Sequence, residues 1–597
     1  MMRKRFRFMG KRKKGKPMPA GRSRPKPAAS GTARALEGTR LHRRTYFWAA
    51  VALLLSFLLG VMVYSARLES PTMDEPVYLL AGYRYLETGD FAFNAEHPPL
   101  AKFLAALPLL ALDPRLPTET ELYRRLDLRA GSYFLFHNRV PPDELLFYGR
   151  LPFIVLTVVF GLAIALWTRS RFGPLAALLA LLFYALDPNI IAHGRYAATD
   201  MAPAALFFLT CVAWDRFLLT KGRWDLLWAG LLLGLACAAK FSCLLLGGIL
   251  PVLYLIRWRR SPGRYSLRHF AVSLLALALC TAAVIGALYW PDTVRSLTPD
   301  GTDALHNVVD PARPAGKVFH WLGTTFDLPA HRYLWGLYQQ LVHNEDGHRA
   351  YLLGEISQEG RWQYFPVAFA VKTPAALLLG LLFAVGAGIR SLVSGGFGVL
   401  RRAPFFWVLL ALPPVIFLLV AMASNINIGL RHVLPIYPFL FVLAAVVLVR
   451  FRQPLLLMLV VALLLFEHAR VAPHYLAFFN SLAGGSGNGV RYLADSNLDW
   501  GQDLKKLRAY VETNRVESLC LSYFGPDTYG YYGLEAAPTP AMSDYRAGSG
   551  PGCIAAVSAS ALVGLAQTGF RDAWLKDIEP MDRVGYSIFL YDLRRNR

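Results

Sequence analysis

Two clusters of polar residues in the first third of the sequence combine carboxylates with cationic groups. The first cluster contains Asp74 and Glu75, and His97 and Lys102 follow in the run NAEHPPLAK. Carboxylates beside an apolar run are unfavourable near lipid unless they are hydrated, paired or functional. A carboxylate of this kind can remove a proton from a hydroxyl group. A structural alternative, with Asp74 as a helix N-cap and His97 as a turn residue, also fits the local sequence.

The second cluster lies in the run HGRYAATDM and contains Arg195 and Asp200. Asp200 also fits a helix N-cap, because Asp is among the residues preferred at that position. Two acidic sites, each near a cation, indicate that carboxylates and a guanidinium group converge in the folded chain. Such an arrangement could deprotonate a hydroxyl while the cations neutralise a departing phosphate.

Further candidates lie in a polar stretch near residue 350 and at two later positions. Glu345, Trp362 and Tyr364 combine acidic and aromatic groups that suit contact with a sugar or with an acceptor. Lys372 and Arg431 stand beside apolar runs, where each could bind a phosphate or anchor a lipid headgroup.

No pattern typical of a metal or cofactor site is evident. The six cysteines include no CxxC pair. His343 and His348 are five residues apart and do not share a helical face. The run GGSGNG at 484–489 lacks the Lys-Ser/Thr pair of a phosphate-binding loop and fits a turn better. We therefore expect neither a metal nor another cofactor.

The elements that must position these residues are mainly membrane-spanning helices. Of the 597 residues, 55% are hydrophobic and 17% are charged, whereas about a quarter of the residues of a soluble protein are charged. Several apolar runs reach the roughly 20 residues that a spanning helix needs. About eleven spans are predicted, near residues 46–66, 151–167, 174–190, 201–219, 226–239, 242–256, 270–290, 367–389, 404–424, 434–449 and 454–468.

The distribution of Lys and Arg in the short loops predicts the orientation of these spans. If the N-terminus is cytoplasmic, every loop assigned to the cytoplasm is basic, as the positive-inside rule requires. An odd number of spans then places the C-terminus outside. The extracytoplasmic pieces are residues 67–150, 291–366 and about 470–597. The apolar stretch Leu100–Leu112 is too short to span and is predicted to be a helix in the membrane interface.

Much of the net charge of +23 lies in residues 1–44, which hold 16 Lys or Arg and one acidic residue, Glu37. This composition predicts a disordered cytoplasmic tail that is attracted to anionic lipids. Nucleic acid is not expected as a partner, because the remaining basic residues lie in the short loops. The tail does not resemble a cleavable signal peptide, since no cleavage site follows the first apolar run.

The C-terminal region, from about residue 499, has the pattern of a small α/β domain. Asp503–Thr513 is amphipathic, and Ser518–Tyr523, Cys553–Val557 and Tyr586–Tyr591 are predicted strands. Cys520 and Cys553 are the only cysteines of this domain. In an oxidising compartment they predict a disulfide, with two buried thiols as the alternative.

Together these motifs resemble the GT-C fold glycosyltransferases of the family 39 type. That family includes the protein O-mannosyltransferases and is related to the lipid A aminoarabinose transferases. The resemblance is carried by the pair Asp74-Glu75, the HPPLAK run at 97–102 and the RYAATDM run at 195–201. It implies an inverting sugar transfer from a polyprenyl-phosphate carrier. It also implies that Asp74 is the general base, that His97, Lys102 and Arg195 contact the donor phosphate, and that Asp200 orients the acceptor or a cation.

We therefore expect a polytopic all-α membrane protein of the GT-C type with a small C-terminal α/β extracytoplasmic domain. Its parts are the tail 1–44, the catalytic domain 45–469 and the domain 470–597. The expected activity is hexosyl transfer from a polyprenyl-phosphate sugar to an acceptor hydroxyl outside the inner membrane, with protein O-mannosylation as one candidate. Because the second large loop is too short for the β-trefoil domain of eukaryotic family members, a lipid or cell-wall glycan acceptor is an alternative. A transporter or flippase of lipid-linked sugars is an alternative of another class.

Overall fold

The computed structural model describes residues 31–118, 127–296, 309–326, 330–396, 403–526, 529–547, 549–565 and 571–594. The chain divides into two compact units, Met1–Ala50 and Val51–Arg597. In the first unit, the described residues all belong to helix α1 (Gly31–Leu68). Residues 1–30 of the predicted disordered tail therefore lie outside the described residues. In the structure, residues 31–44 continue helix α1, where Ala, Leu, Arg and Glu favour helix and extend the helix of the first span.

The second unit is mainly helical. After α1, its α-helices are α2 (Glu75–Thr88), α3 (Leu100–Ala106), α4 (Asp127–Phe136), α5 (Pro142–Phe172), α6 (Pro174–Leu186), α7 (Pro188–Arg195), α8 (Met201–Thr220), α9 (Arg223–Ala239), α10 (Leu246–Arg260), α11 (Leu267–Leu288), α12 (Trp290–Ser296), α13 (Pro314–Thr325), α14 (His331–Asp346), α15 (Tyr364–Lys372), α16 (Ala375–Gly395), α17 (Phe405–Met422), α18 (Tyr437–Phe451), α19 (Pro454–Val471), α20 (Leu504–Thr513), α21 (Met542–Ala547) and α22 (Ala559–Leu562). Short 3₁₀ turns connect several of them.

Within the described residues, nine helices are long and apolar enough to cross a membrane, and the bent pair α6–α7 raises the number to ten. The nine are Thr45–Leu68, Pro142–Phe172, Met201–Thr220, Phe241–Arg260, Leu267–Leu288, Ala375–Gly395, Phe405–Met422, Leu430–Phe451 and Pro454–Val471. Helix α9 has 17 residues and coincides with the remaining predicted span. Each predicted span therefore has a helical counterpart, and the predicted fold class is confirmed.

Helix breaks occur where the sequence provides a cap or a proline. Helices α6 and α7 meet at 62°, because the Asp187 side chain caps α7 by accepting bonds from the Asn189 and Ile190 amides. The predicted span 367–389 is interrupted before Ala375, since Pro374 cannot continue the preceding helix. Lys240 ends α9, between the predicted spans 226–239 and 242–256.

The helix predicted at Leu100–Leu112 is present as α3, which continues into a 3₁₀ turn over Leu107–Ala111. It packs closely on α2. A Cβ atom at Gly82 would lie 2.0 Å from the carbonyl oxygen of Lys102, so only glycine permits this approach. The two helices share a hydrophobic core with α5 that includes Leu79, Ala105 and Leu145.

The C-terminal region contains a five-stranded sheet. Besides the hairpin β1 (Ala350–Leu352) and β2 (Glu355–Ser357), the strands are β3 (Leu519–Ser522), β4 (Ala536–Pro538), β5 (Ile554–Ser558), β6 (Asp582–Val584) and β7 (Ile588–Asp592). The sheet order is β4-β3-β5-β7-β6, with β3 parallel to both of its neighbours and β7 antiparallel to both of its own. The predicted helix and the three predicted strands are confirmed. The sequence pattern missed β4 and β6, each only three residues long.

The predicted disulfide between Cys520 and Cys553 is present, with a Cα–Cα distance of 5.8 Å. Cys520 lies in β3 and Cys553 directly precedes β5. Since β3 and β5 are neighbours in the sheet, the bond joins two adjacent strands and closes a loop of 33 residues.

Candidate active site

Two carboxylates from separate clusters of the sequence meet at one guanidinium group. Nη1 of Arg431 lies 3.4 Å from Oδ2 of Asp74 and 3.6 Å from Oδ2 of Asp200. Nζ of Lys240 lies 2.9 Å from Oδ1 of Asp200. We call these four residues, Asp74, Asp200, Lys240 and Arg431, the acid–cation cluster. It contains two carboxylates and two cations, so its formal charges balance.

Asp74 occupies the N-cap position of α2, but its side chain caps no backbone amide. The side chain is 25% exposed. Burial raises the pKa of Asp74, and Arg431 lowers that pKa only in part. A carboxylate with a raised pKa is a stronger base than an ordinary aspartate. The structure therefore does not support the N-cap alternative and leaves this carboxylate available for a proton.

Asp200 also stands at a helix start without capping it. Its side chain is fully buried between Lys240 and Arg431. Burial alone would raise the pKa of Asp200, but Lys240 and Arg431 outweigh it and lower that pKa far below its usual range. Asp200 therefore stays ionised and holds the two cations in place, and this environment does not suit the proton-accepting role that the sequence allowed for it.

A segment of the C-terminal region forms one wall of the acid–cation cluster. The guanidinium carbon of Arg431 lies 4.3 Å from the centre of the Trp500 ring. Nε of Arg431 donates a hydrogen bond of 3.0 Å to Oγ of Ser496. Both residues belong to the polar DSNLDWGQD run at 495–503.

His97 lies beside the cluster, and burial lowers the pKa of its imidazole. Its Nδ1 atom is buried without a hydrogen-bond partner. The charges of Glu96, Lys240 and Arg431 all act on this ring. A neutral imidazole with an unused nitrogen can bond a ligand but adds no positive charge, so His97 could contact a phosphate only as a neutral group.

A hydrogen-bonded chain begins at the neighbouring residue, Glu96. Its Oε1 atom lies 2.9 Å from Nδ1 of His343, and Nε2 of His343 lies 3.0 Å from Nδ1 of His348. The bond to Glu96 raises the pKa of His343, whereas burial lowers the pKa of His348. A protonated His343 that donates to both partners satisfies these directions. The chain borders a cavity of about 560 Å³, lined by Ala92, Asn94, Ala95, Glu96, Trp335, Tyr338, Gln339, Val342, His343 and Asp346.

Glu75, which the sequence placed beside Asp74 as a catalytic candidate, is not part of this site. Its carboxylate is fully buried and bonds Nε and Nη2 of Arg150, each at 2.7 Å. It also accepts hydrogen bonds from Thr72 and from the amide of Ala197. A carboxylate with all of these donors is a structural anchor.

Two of the predicted phosphate-binding cations, Arg195 and Lys102, instead bind acceptors within the protein. Arg195 is fully buried and binds both carboxylate oxygens of Glu69 through Nη2. Lys102 is fully buried, and its ammonium bonds the carbonyl oxygens of Asn94 and His97 and the Tyr85 hydroxyl. Lys102 therefore fixes the loop that carries His97 and does not face a ligand. Neither contact was visible in the sequence, because both depend on how the loops fold.

Of the other predicted contacts, only Arg431 lies in the acid–cation cluster. Lys372 is buried and bonds the carbonyl oxygens of Leu476 and Asn497. The hydroxyl of Tyr364 accepts a bond from Asn497. Trp362 is 60% exposed. Nothing places Glu345 at the site, since its contact is Arg313, 3.7 Å away.

Lys240, Ser496 and Trp500 were missed as site residues. Lys240 is the only charged residue between Asp225 and Arg257, and a lone charge within apolar sequence is costly unless it is paired or functional. That signal could have identified Lys240. The sequence carried no comparable signal for Ser496 and Trp500, because their contacts with Arg431 depend on the tertiary fold. Ser496, for example, lies 65 positions from Arg431. No group of three metal-ligating side chains is found among the described residues.

Comparison with solved structures finds membrane glycosyltransferases. ArnT from Cupriavidus metallidurans bound to undecaprenyl phosphate has 15% identity and a TM-score of 0.43, with 92% of this chain and 99% of that chain covered. The apo oligosaccharyltransferase of Archaeoglobus fulgidus has 15% identity and a TM-score of 0.43, with 84% and 61% covered. The protein O-mannosyltransferase complex of S. cerevisiae bound to the sugar donor has 20% identity and a TM-score of 0.33, with 43% and 35% covered.

No curated protein sequence matches the chain. A protein-family match covers α5 to α11 and includes Arg195, Asp200 and Lys240, but it does not reach Asp74 or His97. The match therefore contains the RYAATDM run at 195–201 but neither the Asp74-Glu75 pair nor the HPPLAK run. The resemblance that those motifs indicated is confirmed, since residues 143–290 match the dolichyl-phosphate-mannose-protein mannosyltransferase family.

Proposed function

We propose that this protein is an inverting glycosyltransferase that moves a sugar from a polyprenyl-phosphate carrier to an acceptor hydroxyl. One observation carries the proposal: the partly exposed Asp74 and the buried Asp200 share Nη1 of Arg431, with Lys240 against Asp200. An available base and fixed cations in one place suit a reaction in which a hydroxyl loses a proton while a phosphate departs.

Asp74 supplies the base in this mechanism. The acceptor hydroxyl transfers its proton to the Asp74 carboxylate, and its oxygen forms a bond to the anomeric carbon of the sugar. The bond between that carbon and the phosphate oxygen breaks, and its electron pair leaves with the polyprenyl phosphate. Attack from the face opposite the phosphate inverts the anomeric configuration. The raised pKa of Asp74 favours acceptance of the proton.

Arg431 and Lys240 supply positive charge for the departing phosphate. Both are held by Asp200, so the geometry of the cations is fixed before the donor binds. Fixed charges that need no rearrangement during the reaction are the most effective stabilisers of developing charge. The sequence assigned phosphate binding to Arg195, Lys102 and Arg431. Of these three, Arg431 lies in the acid–cation cluster and takes this role.

The acceptor is a hydroxyl on a glycan, a lipid or a protein. The family that residues 143–290 match is named for the transfer of mannose to protein, which favours a protein acceptor. The short second loop, without a trefoil domain, favours a lipid or cell-wall glycan. Both acceptors require the same chemistry at Asp74.

We place the site on the extracytoplasmic face of the inner membrane. The members of the acid–cation cluster come from four segments that the positive-inside rule independently predicts to be outside. Their convergence supports the prediction that all four segments lie on the same side of the membrane. Fusion of alkaline phosphatase after residue 597 should give an active reporter, and a reporter active only in the cytoplasm should be silent there. The reverse pattern would contradict this placement.

The enzymatic proposal is tested with the full-length protein in detergent or proteoliposomes. Radiolabelled polyprenyl-phosphate hexoses are incubated with membranes from a deletion strain as the acceptor source. The wild type should release polyprenyl phosphate and label the acceptor fraction. Asp74→Asn should insert normally and lose about 10²–10⁴-fold in rate, as expected for loss of a general base.

Asp113→Asn is the matched control, because the Asp113 side chain is 76% exposed and pairs only with Arg139 among the contacts described. It should transfer sugar at the wild-type rate. Movement of the donor across proteoliposomes without any sugar transfer would indicate a flippase and overturn the proposal. Full activity of Asp74→Asn would remove Asp74 as the base.

A further inference from the structure

The segment Asp495–Trp500 contacts Arg431 from two sides. The Trp500 ring lies against the face of the guanidinium group at 4.3 Å, a distance at which the ring attracts a cation. Oγ of Ser496 accepts the Nε–H bond at 3.0 Å. Trp500 is 2% exposed and Ser496 is fully buried, so water competes little for these contacts.

The same segment holds the backbone that leads into Arg431. Oγ of Ser496 donates a 2.7 Å hydrogen bond to the carbonyl oxygen of Ile428. Oδ1 of Asn497 accepts a 2.9 Å bond from the amide of Leu430. The approach is so close that a Cβ atom at Gly429 would lie 2.3 Å from Oγ of Ser496. Both the chain and the side chain of Arg431 are therefore fixed by this segment.

The other end of the segment reaches the chain at Asp74. The carbonyl oxygen of Trp500 accepts a 2.9 Å hydrogen bond from the amide of Met73, the residue before Asp74. Just beyond the segment, the carbonyl oxygen of Gln502 accepts a 3.1 Å bond from the amide of Ser70. One short segment thus binds the loop that carries Asp74 and the turn that carries Arg431, although these lie 357 positions apart in the sequence.

We infer that Ser496 and Trp500 are positioning residues that hold Arg431 against Asp74, so that the C-terminal region completes the catalytic site. This inference rests on the function proposed above. The C-terminal domain, whose role the sequence did not reveal, would thus contribute to catalysis by positioning Arg431. If the contacts of Ser496 and Trp500 only stabilised the fold, their loss would lower the yield and thermal stability of the protein but would not change the ionisation of Asp74.

The charges that act on Asp74 are those of Arg431, Asp200, Glu96 and Lys240. Arg431 lowers the pKa of Asp74, so displacement of Arg431 should raise it. Asp74 accepts the proton only when it is ionised. The acidic limb of the rate–pH profile should therefore move to higher pH in variants that release Arg431 and leave the other three charges unchanged.

The test compares Ser496→Ala and Trp500→Leu with Trp500→Phe, each in the full-length protein. Ser496→Ala and Trp500→Leu should each lower kcat about tenfold, within the range expected for loss of one cation–π contact or hydrogen bond to a charged group. Both should shift the acidic limb upward. Trp500→Phe retains an aromatic face and should recover most of the rate and the original limb.

Trp290→Leu is the control for removal of an indole ring, because Trp290 is 64% exposed and remote in sequence from every residue of the site. It should leave the rate and the profile unchanged. Lower kcat in Ser496→Ala and Trp500→Leu with an unmoved acidic limb would overturn the inference, since loss of structure alone produces that result.

Hydrogen–deuterium exchange tests the same contacts without an activity assay. The amides of residues 428–432 should exchange faster in Ser496→Ala than in the wild type, while those of the strand Ile588–Asp592, which does not contact Ser496 among the bonds described, should not change. Unchanged exchange at 428–432 would overturn the inference even if the protein proved to transfer no sugar. A silent wild type in the transfer assay, by contrast, counts against the proposed function and not against these contacts.

Discussion

Asp74 and Glu75 are neighbours in the chain, yet their carboxylates lie in opposite environments. Glu75 is fully buried and accepts hydrogen bonds from Arg150, from Thr72 and from the amide of Ala197. Asp74 is 25% exposed, and its described partner, Arg431, lies 3.4 Å away and is shared with Asp200. The first carboxylate is enclosed by donors, and the second is open to a substrate.

The difference between the two acids teaches that burial and charge pairing do not by themselves mark a catalytic residue. A buried ion pair is retained when every polar atom has a partner, and such a carboxylate has no reason to accept a proton. A carboxylate whose charge is only partly compensated has a raised pKa and an unused lone pair. The open geometry at Asp74, and not its sequence context, separates it from Glu75.

The largest expected effect on stability is that of Glu75→Gln. The substitution leaves Arg150 buried without a counterion, and breaking a buried ion pair in this way costs about 3–5 kcal/mol. We expect a lower thermal midpoint and a lower yield of monodisperse protein, measured in detergent. The transfer rate per folded molecule should stay close to that of the wild type. A stable Glu75→Gln protein without transfer activity would reverse the roles of the two acids.

A somewhat smaller effect is expected from Cys520→Ser together with Cys553→Ser. Loss of a native disulfide typically costs about 2–5 kcal/mol, and this one closes a loop of 33 residues in the domain that holds Arg431 through Trp500. The C-terminal domain should unfold at lower temperature, detected by limited proteolysis, while the rate at low temperature is preserved. Cys280→Ser is the control, since Cys280 forms no disulfide. An unaltered proteolysis pattern would show that the bond does not stabilise the domain.

Lys240→Met should reduce kcat/KM by about 10- to 100-fold, because a hydrogen bond to a charged group contributes about 1.5–3 kcal/mol. The substitution leaves Asp200 to compete with Asp74 for Arg431, so the open site loses its balance of charge. Steady-state kinetics at several donor concentrations measure the effect. Lys317→Met is the control, because Lys317 is exposed. Equal kinetics for the two variants would place Lys240 among the structural residues, with Arg150.

The smallest change is expected in the pH dependence of the wild type. Because the pKa of Asp74 is raised above the ordinary value of 3.8, the transfer rate should fall while the pH is still above 3.8. The ionised form is the base, so the rate rises with pH through this pKa and then levels off. A rate that stays constant down to pH 3.8 would mean that Asp74 does not carry the proton.

Local sequence patterns predicted most of the fold. Apolar runs of spanning length identified the helices, and the gap between the predicted spans 226–239 and 242–256 coincides with the break at Lys240. Alternation of apolar and polar residues predicted the strands of the C-terminal domain. The expected oxidising compartment predicted the Cys520–Cys553 disulfide. Very short strands such as β4 were missed, because three residues carry too little periodicity.

The site was predicted less well, since spacing indicates which residue types are present but not which partners they find. Asp74, Asp200 and Arg431 were nominated from separate parts of the sequence, and their side chains meet in space. Arg195 and Lys102 were nominated by the same reasoning, yet each is enclosed by protein acceptors. Isolated cations beside apolar sequence look alike until the fold shows which of them have carbonyl or carboxylate partners.

The sequence by itself determined the membrane helices, the acidic motif at Asp74 and the covalent link in the C-terminal domain, because each depends on residues close in the chain or on composition. Only the tertiary structure decided that Asp74 is open while Glu75 is enclosed, and that Trp500 and Ser496 hold Arg431. These outcomes depend on contacts between segments that lie from 65 to 357 residues apart in the sequence. A carboxylate's protonation and reactivity are set by the charges and donors within a few ångströms of it, and local sequence does not specify that neighbourhood.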